Sequence, residues 1–203
     1  MTEINIKELV MNLLDTFLSA GEISINLRKD GLTKKIKSDN TPVSNGDLEV
    51  NKIVTQKLLE LTPNIPIVSE ETSHNKSSSN LESFWLVDPI DGTYDYINDL
   101  EEFTINAGLI LNRKPVAGLI NAPAKNRMFY TYGKNDAYEL TNGKEIKLDC
   151  SKKTKKEFVK VVSYSNKIKP EIEKIHNLLG VNEFVRMKSS YKFCVIATGE
   201  YDG

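Results

Sequence analysis

The sequence is poor in the residues that mark disulfide-rich, metal-thiolate and membrane proteins. Its 203 residues include two cysteines, two histidines and one tryptophan, and the formal net charge is −1. Cys150 and Cys194 have neither the number nor the spacing of a disulfide framework or a metal-ligand set, so both are expected to be buried free thiols. No apolar run would span a bilayer, no signal peptide is indicated, and no basic excess suggests a nucleic-acid partner. A cytoplasmic globular protein is therefore expected.

The apolar periodicity predicts an α+β fold in which helices precede strands. Apolar residues recur at helical spacing over residues 4–27 and 48–61, whereas residues 102–148 contain short β-prone runs separated by turn sequences. This order is typical of helices packed on an antiparallel sheet. Further elements are expected beyond a charged linker, namely a strand at 158–163 and helices at 170–179 and 189–198.

The apolar run at residues 84–87 ends at two carboxylates and opens into a Gly-Thr turn. The run predicts a strand buried on both faces, so Asp88 and Asp91 would emerge together at one end of a sheet. Carboxylates that close repel each other, and Mg²⁺ relieves the repulsion because it prefers carboxylate and water oxygens. If a helix begins near Thr93, the amides of Gly92 and Thr93 favour a phosphate beside the metal. The alternative is an ordinary turn without a ligand.

Two upstream segments also place acids next to predicted elements. Glu70 and Glu71 follow a short β-prone run, and Asp47 precedes the second helical pattern. For Asp47 the alternative role is that of a helix cap. One of the two glutamates is expected to lie in a solvated loop.

These segments together resemble a known phosphatase family. Residues 37–47, 69–71 and 88–93 occur in the order found in the lithium-sensitive, magnesium-dependent phosphatases, which include inositol monophosphatase, fructose-1,6-bisphosphatase and the 3′(2′),5′-bisphosphate nucleotidases. Residues 102–106, Glu-Phe-Thr-Ile-Asn, and residues 189–194, Ser-Ser-Tyr-Lys-Phe-Cys, are similar to the nucleotidase branch. The resemblance implies the layered αβαβα fold of the sugar phosphatases.

The resemblance also implies a Mg²⁺ site. In the family pattern, Glu70 and Asp88 share one ion with the main-chain carbonyl of Ile90, and Asp88 bridges to a second ion that Asp91 holds. Metal ions in such a pair activate a water and neutralise the leaving oxygen.

The catalytic roles implied by the resemblance fall on Asp47, Glu70 and Thr93. The Thr93 hydroxyl would orient the attacking water, Asp47 would accept its proton through Thr93, and Glu70 would hold the same water from the metal side. The amides of Gly92 and Thr93 would bind the phosphoryl oxygens.

The substrate side departs from the nucleotidase pattern. Ser163, Ser189 and Lys192 fall on substrate-side positions, but Tyr164 stands where nucleotidases have an arginine that could pair with a phosphate. Lys188 replaces a glycine.

The turn after Thr93 also departs from that pattern. Tyr94 and Asp95 replace a Lys-Glu pair that is often found there. The metal half of the site is therefore the better match.

The resemblance divides the chain into a metal-binding catalytic α+β domain, residues 1–151, and the start of a substrate-side α/β domain, residues 152–203. Family members continue to a Trp-Asp-x-Ala-Ala segment whose Asp ligates the second metal, and the tryptophan of this chain is Trp85. The sequence is therefore expected to be a fragment or a natural truncation, with the second domain incomplete.

The partner implied is a small-molecule phosphomonoester. The first functional hypothesis is Mg²⁺-dependent hydrolysis of 3′(2′)-phosphoadenosine 5′-phosphate to AMP and phosphate, which clears a by-product of sulfate assimilation. The alternatives are an inositol monophosphatase and a non-catalytic remnant that binds metal or phosphate. The sequence makes no prediction about oligomeric state.

Overall fold

A computed structural model describes residues 4–37, 41–72, 81–149, 158–165 and 167–203. Within these ranges the helices are α1 (Ile6–Asp30), α2 (Asn45–Leu61), α3 (Thr93–Ile97), α4 (Pro170–Leu179) and α5 (Tyr191–Ala197). The strands are β1 (Lys34–Ile36), β2 (Pro42–Ser44), β3 (Ile67–Ser69), β4 (Phe84–Asp91), β5 (Thr104–Leu111), β6 (Lys114–Ala122), β7 (Arg127–Thr131), β8 (Ala137–Thr141), β9 (Lys144–Lys147), β10 (Val159–Ser163) and β11 (Val181–Arg186). Cys150 and the predicted domain boundary lie outside the described residues.

Seven strands form one mixed sheet in the order β3-β4-β5-β6-β7-β8-β9. β3 is parallel to β4, and every later neighbour is antiparallel. The antiparallel part is the meander that the turn sequences predicted.

The helices α1 and α2 cover one face of this sheet. Their apolar stripes interdigitate with alternate residues of β4, β5 and β6 because successive strand residues point to opposite faces. The core they form includes Leu13, Phe17, Val54, Leu58, Trp85, Leu109 and Leu119. Both predicted helices are confirmed, and within the described ranges none of the helices is long and apolar enough to cross a membrane.

The opposite face of the sheet carries α5. Met128 and Tyr130 of β7 belong to the core with α1 and α2, whereas Phe129 between them packs with Tyr191 and Cys194 of α5. Cys194 is buried and free, as predicted.

The strands β10 and β11 form a separate parallel pair joined through α4, and Val162 of β10 packs against the α5 cluster. The mixed sheet with α1 and α2 on one face and α5 on the other confirms the predicted layered α+β fold.

Two details differ from the predictions. β4 is not buried on both faces, because Leu86 is 51% exposed on the side that α5 covers only in part. The last helix begins at Tyr191 rather than at residue 189, because Ser189 has a φ of 51°, outside the right-handed helical region.

Candidate active site

The site lies where β4 ends and α3 begins. Gly92 makes this turn possible, since its φ of 95° is unfavourable for a side chain, and a Cβ atom there would lie 2.8 Å from the carbonyl oxygen of Glu102. The chain can therefore pass directly from Asp91 at the strand end to Thr93 at the helix start. The N-terminus of α2 and the end of β3 approach the same turn.

The Thr93 hydroxyl connects two of the predicted site groups. Its Oγ1 atom lies 3.1 Å from Oδ1 of Asp47 and 3.0 Å from the carbonyl oxygen of Ile90. A hydroxyl carries one hydrogen, so these two donations are alternatives, and the unused lone pairs can accept a hydrogen bond from a water. The structure thus brings Asp47, Ile90 and Thr93 together.

Asp47 performs its capping role at the same time. Its Oδ2 atom accepts hydrogen bonds from the main-chain amide of Ser44 at 2.8 Å and from the Ser44 hydroxyl at 2.6 Å, which completes a capping box at the start of α2. Burial raises the pKa of the Asp47 carboxyl, and the hydrogen bonds from Ser44 and Thr93 offset only part of this effect. The two roles considered for Asp47 therefore use different oxygens of one carboxylate.

Asp88 is the most strongly perturbed carboxyl of the site. Burial raises the pKa of Asp88 to about 8, with further contributions from the charges of Glu70 and Asp91 and from a hydrogen bond with Glu70. The Oδ1 atom of Asp88 is buried and has no hydrogen-bond partner among the described residues. Three acids, one directly after β3 and two in β4, are therefore close enough to repel each other, and the buried Oδ1 atom of Asp88 lacks a partner among the described residues.

Two of these acids are engaged by other donors. Lys37 binds Oε1 of Glu70 at 3.0 Å, while Asp91 accepts at its Oδ2 atom from the main-chain amide of Ser190 at 2.6 Å and from its hydroxyl at 2.8 Å. Consistent with these contacts, no group of three or more acidic, histidine or cysteine side chains in the described ranges converges on a common point as a metal site. The three carboxylates are neighbours, but the oxygens of Glu70 and Asp91 accept hydrogen bonds from Lys37 and Ser190.

The adjacent glutamates have different environments. The Glu70 side chain is 47% exposed, whereas that of Glu71 is 4% exposed and binds Lys37 at 2.8 Å. Burial raises the pKa of Glu71, and Lys37 opposes this effect through a hydrogen bond and its charge. Of the pair, Glu70 is thus the solvated residue, and Glu71 is the buried counter-ion of Lys37.

Within the part of the chain that the structure describes, the predicted substrate-side residues hydrogen-bond to nearby main-chain groups and not to the site acids. The Ser163 hydroxyl accepts from the amide of Ser165, the Ser189 hydroxyl accepts from the amide of Tyr191, and the Lys192 ammonium binds the carbonyl of Ser189.

Sequence reasoning gave no site role to Lys37, Glu71 or Ser190, and it noted Lys188 only as a departure from the family pattern on the substrate side. Lys37 and Ser190 lie within the motifs that carried the resemblance, so the signal was present but did not show which member of each motif points inward.

An apolar cavity of about 530 Å³ adjoins the acids between the sheet and α5. Asp88, Asn106 and Ser190 contribute polar atoms to a lining that is otherwise mainly apolar, with residues such as Leu86, Phe129 and Phe193. The acid cluster therefore opens toward a space large enough for a small organic molecule.

Comparison with known proteins places this arrangement in a family. A model of the inositol monophosphatase family matches residues 7–203. The chain belongs to the inositol monophosphatase family.

Among the family's curated members, a 3′(2′),5′-bisphosphate nucleotidase CysQ of Aggregatibacter actinomycetemcomitans is 36% identical over 142 residues, which cover 69% of this chain and 53% of that protein. The first curated relatives are matched over about half to two thirds of their own length.

Solved structures of inositol monophosphatase family proteins share the fold. CysQ from Bacteroides thetaiotaomicron superposes with a TM-score of 0.69 at 23% identity, covering 94% of this chain and 76% of that one. An IMPase/NADP phosphatase complexed with Mg²⁺ and phosphate superposes with a TM-score of 0.74 at 18% identity, covering 98% of this chain and 74% of that one.

Proposed function

We propose that this chain is the metal-binding part of a Mg²⁺-dependent phosphomonoesterase that converts 3′(2′)-phosphoadenosine 5′-phosphate to AMP and phosphate. The observation that carries the proposal is the position of the Thr93 hydroxyl, between the Asp47 carboxylate and the Ile90 carbonyl at the edge of the acid cluster. An ordinary turn would not need a buried acid aimed at its threonine. The names of the curated relatives support the nucleotide substrate.

The residues present fit a hard divalent cation. The buried, unpartnered oxygen of Asp88 and the repulsion among its neighbours are what a cation would relieve, and carboxylate and carbonyl oxygens are the ligands that Mg²⁺ prefers. Glu70, Asp88, Asp91 and the carbonyl of Ile90 would hold it. Bound there, Mg²⁺ would supply Lewis-acid activation of the attacking water and stabilise charge on the leaving oxygen.

The chain's own groups perform the proton transfer. With its hydrogen donated to Asp47, the Thr93 hydroxyl accepts a hydrogen bond from the attacking water and orients it. As the water attacks phosphorus, its proton passes to the Thr93 oxygen, and the Thr93 proton passes to Asp47. Glu70 holds the same water during the attack. The amides of Gly92 and Thr93 contact the phosphoryl oxygens.

The two parts of the chain have different roles in this proposal. Residues 1–151 form the catalytic domain, and residues 152–203 belong to the part that contacts the rest of the substrate, through Ser163, Ser189 and Lys192. A second candidate function is hydrolysis of an inositol phosphate, which the exposed Tyr164 favours because it offers no guanidinium for a second phosphate.

The test is phosphate release from 3′-phosphoadenosine 5′-phosphate, inositol 1-phosphate and AMP, with and without Mg²⁺. We expect turnover only with Mg²⁺ and fastest on the bisphosphate. A preference for inositol 1-phosphate would favour the second candidate, and absence of release from all three would contradict turnover by this chain.

A paired substitution tests the proton path. Thr93→Val should lower kcat by about 10²- to 10⁴-fold, the contribution of one positioned proton-transfer group. Thr55→Val is the control, because the Thr55 hydroxyl donates to main-chain carbonyls of α2, those of Asn51 and Lys52, away from the site acids. Equal rates for the two variants would contradict the role of Thr93.

A further inference from the structure

Lys188 is held next to the proposed phosphate site by three contacts. Its ammonium lies 2.5 Å from Oδ1 of Asp95, its main-chain amide donates to Oε2 of Glu102 at 2.9 Å, and the ammonium lies 5.3 Å from the centroid of the Tyr94 ring. Side chain and backbone of one residue are thus both bound to the segment around α3.

The position of Lys188 follows from the turn that carries it. Ser190, two residues further along, donates to Asp91 at the end of β4. Asp95 lies in the first turn of α3, so the contacts of Lys188 and Ser190 fall on the two sides of the Gly92-Thr93 turn. The Lys188 ammonium contacts Asp95 and not Asp91 or Thr93, and it is therefore offset from the place of the reacting phosphoryl group.

The ammonium is anchored and still accessible. The side chain of Asp95 is 2% exposed, whereas that of Lys188 is 26% exposed, and the flanking Tyr94 is 65% exposed. An ammonium has three N–H donors, and Asp95 receives one of them. Lys37, by contrast, is shared between two glutamates. Among the ion pairs of the described residues that involve acids around this turn, the Lys188 ammonium has two donors left for a ligand, whereas that of Lys37 has one.

We propose that Lys188 is a specificity-determining residue that binds the non-reacting phosphate of the bisphosphate substrate. The inference rests on the proposed function and extends it. Asp95 is the fixed counter-charge that keeps the ammonium in place, and Tyr94 is the aromatic surface under it. Lys188 thereby supplies the positive charge that Tyr164 does not.

Equilibrium binding measures this role without turnover. AMP carries only the non-reacting phosphate, and inorganic phosphate represents only the reacting one. The dissociation constants of AMP and of inorganic phosphate are measured separately by titration calorimetry with Mg²⁺ present. Lys188→Met should weaken AMP binding about tenfold, as expected for one charge-assisted hydrogen bond, and leave phosphate binding unchanged. Lys188→Arg should restore most of the affinity for AMP.

Asp95→Asn separates recognition from a purely structural ion pair. If Lys188 binds substrate, Asp95→Asn keeps the ammonium and a neutral oxygen that can accept from it, so this variant should lose less AMP affinity than Lys188→Met, whereas a structural pair predicts equal losses in both variants. Thermal unfolding of each variant shows whether the fold persists. Unchanged AMP binding in Lys188→Met, or equal losses in Lys188→Met and Asp95→Asn, would overturn the inference about Lys188 and leave the proposed function standing. Failure of the unsubstituted chain to bind either ligand would overturn the proposed function with it.

Discussion

Asp47 shows how one buried side chain can serve both the fold and the chemistry. One carboxylate oxygen accepts from Ser44 in the capping box of α2, and the other accepts from Thr93. The capping bonds fix the orientation of the carboxylate, so the oxygen aimed at Thr93 has little freedom to turn away. The start of a helix thereby positions the proposed proton acceptor.

The cap can be tested apart from the proton path. Ser44→Ala removes the hydroxyl that accepts from the amides of Gly46 and Asp47 and donates to the Asp47 carboxylate. We expect a loss of about 1–2 kcal/mol in the free energy of unfolding, measured by urea denaturation with an unchanged m-value. Ser19→Ala, at an exposed position on α1, is the control and should change it by less than about 0.5 kcal/mol. Equal midpoints would contradict the capping account.

At this scale the sequence identified segments more reliably than individual side chains. Asp47 and Thr93 were predicted to interact, and their atoms are 3.1 Å apart. Ser189 was predicted to face the substrate, yet Ser190 is the residue that reaches Asp91, because the left-handed backbone at Ser189 turns the chain by an amount that spacing does not reveal. Glu70 and Glu71 likewise form one motif and both bind Lys37, and only their different burial in the fold distinguishes them.

Between elements, Arg127 joins the sheet to α5. From β7 its guanidinium donates to Glu139 on β8 at 2.6 Å, to the Tyr191 hydroxyl on α5 at 2.7 Å and to Glu200 at 2.5 Å. These donors point in three directions, a geometry that lysine cannot reproduce. Arg127 therefore connects strands β7 and β8 of the sheet to α5 through polar contacts.

Removing this link should be costly. Arg127→Met leaves the buried Glu139 without its cation, and we expect a loss of about 3 kcal/mol or more in the free energy of unfolding. The control is Lys125→Met, because the Lys125–Glu101 ion pair is more exposed and should contribute about 1 kcal/mol or less. Chemical denaturation of both variants provides the comparison, and similar losses would refute the linking role.

The same link predicts a dependence on pH. Burial opposes ionisation of Glu200, but the hydrogen bonds from Arg127 and Thr198 outweigh it and lower the pKa of Glu200 below its ordinary 4.5. A lowered folded-state pKa gives stability that is present above that pH and lost as the pH falls through the folded value. Glu200→Gln should therefore be less stable than the unsubstituted chain at pH 7, and the difference should vanish in acid. A difference that persists unchanged in acid would contradict this assignment.

Helices and strands were predictable where the pattern is local. The stripe of Leu9, Leu13 and Phe17 repeats at helical spacing whatever lies opposite, so α1 was predicted from it. The exposure of Leu86 was not predictable, because it depends on how far α5 extends over β4, and that depends on residues about a hundred positions away.

At the scale of the whole molecule, the face of the sheet under α5 is only partly covered. The apolar cavity there is lined by Leu86 of β4 and Phe193 of α5, both of which are exposed. The chain is matched to its first curated relatives over about half to two thirds of their length. The partly covered face adjoins Asp88, so the apolar cavity and the acid cluster belong to the same region of the molecule.

The cavity should bind an apolar dye in the native state. We expect the fluorescence of anilinonaphthalene sulfonate to rise with the folded chain, because the dye reports accessible apolar surface. The double variant Leu86→Gln, Phe193→Gln should reduce this signal, whereas Leu178→Gln, at an exposed position on α4, should not. A signal that the double variant leaves unchanged would place the apolar surface elsewhere.

The central claim is that Glu70, Asp88 and Asp91 together hold a divalent cation, and calorimetric titration of the chain with Mg²⁺ tests it most directly. We predict saturable binding that raises the unfolding temperature and is weakened at least about tenfold by Asp88→Asn. Asp136→Asn, at an exposed acid that pairs with Lys147, should leave the binding unchanged. Saturable binding with the same affinity in Asp88→Asn, or none in the unsubstituted chain, would contradict the account.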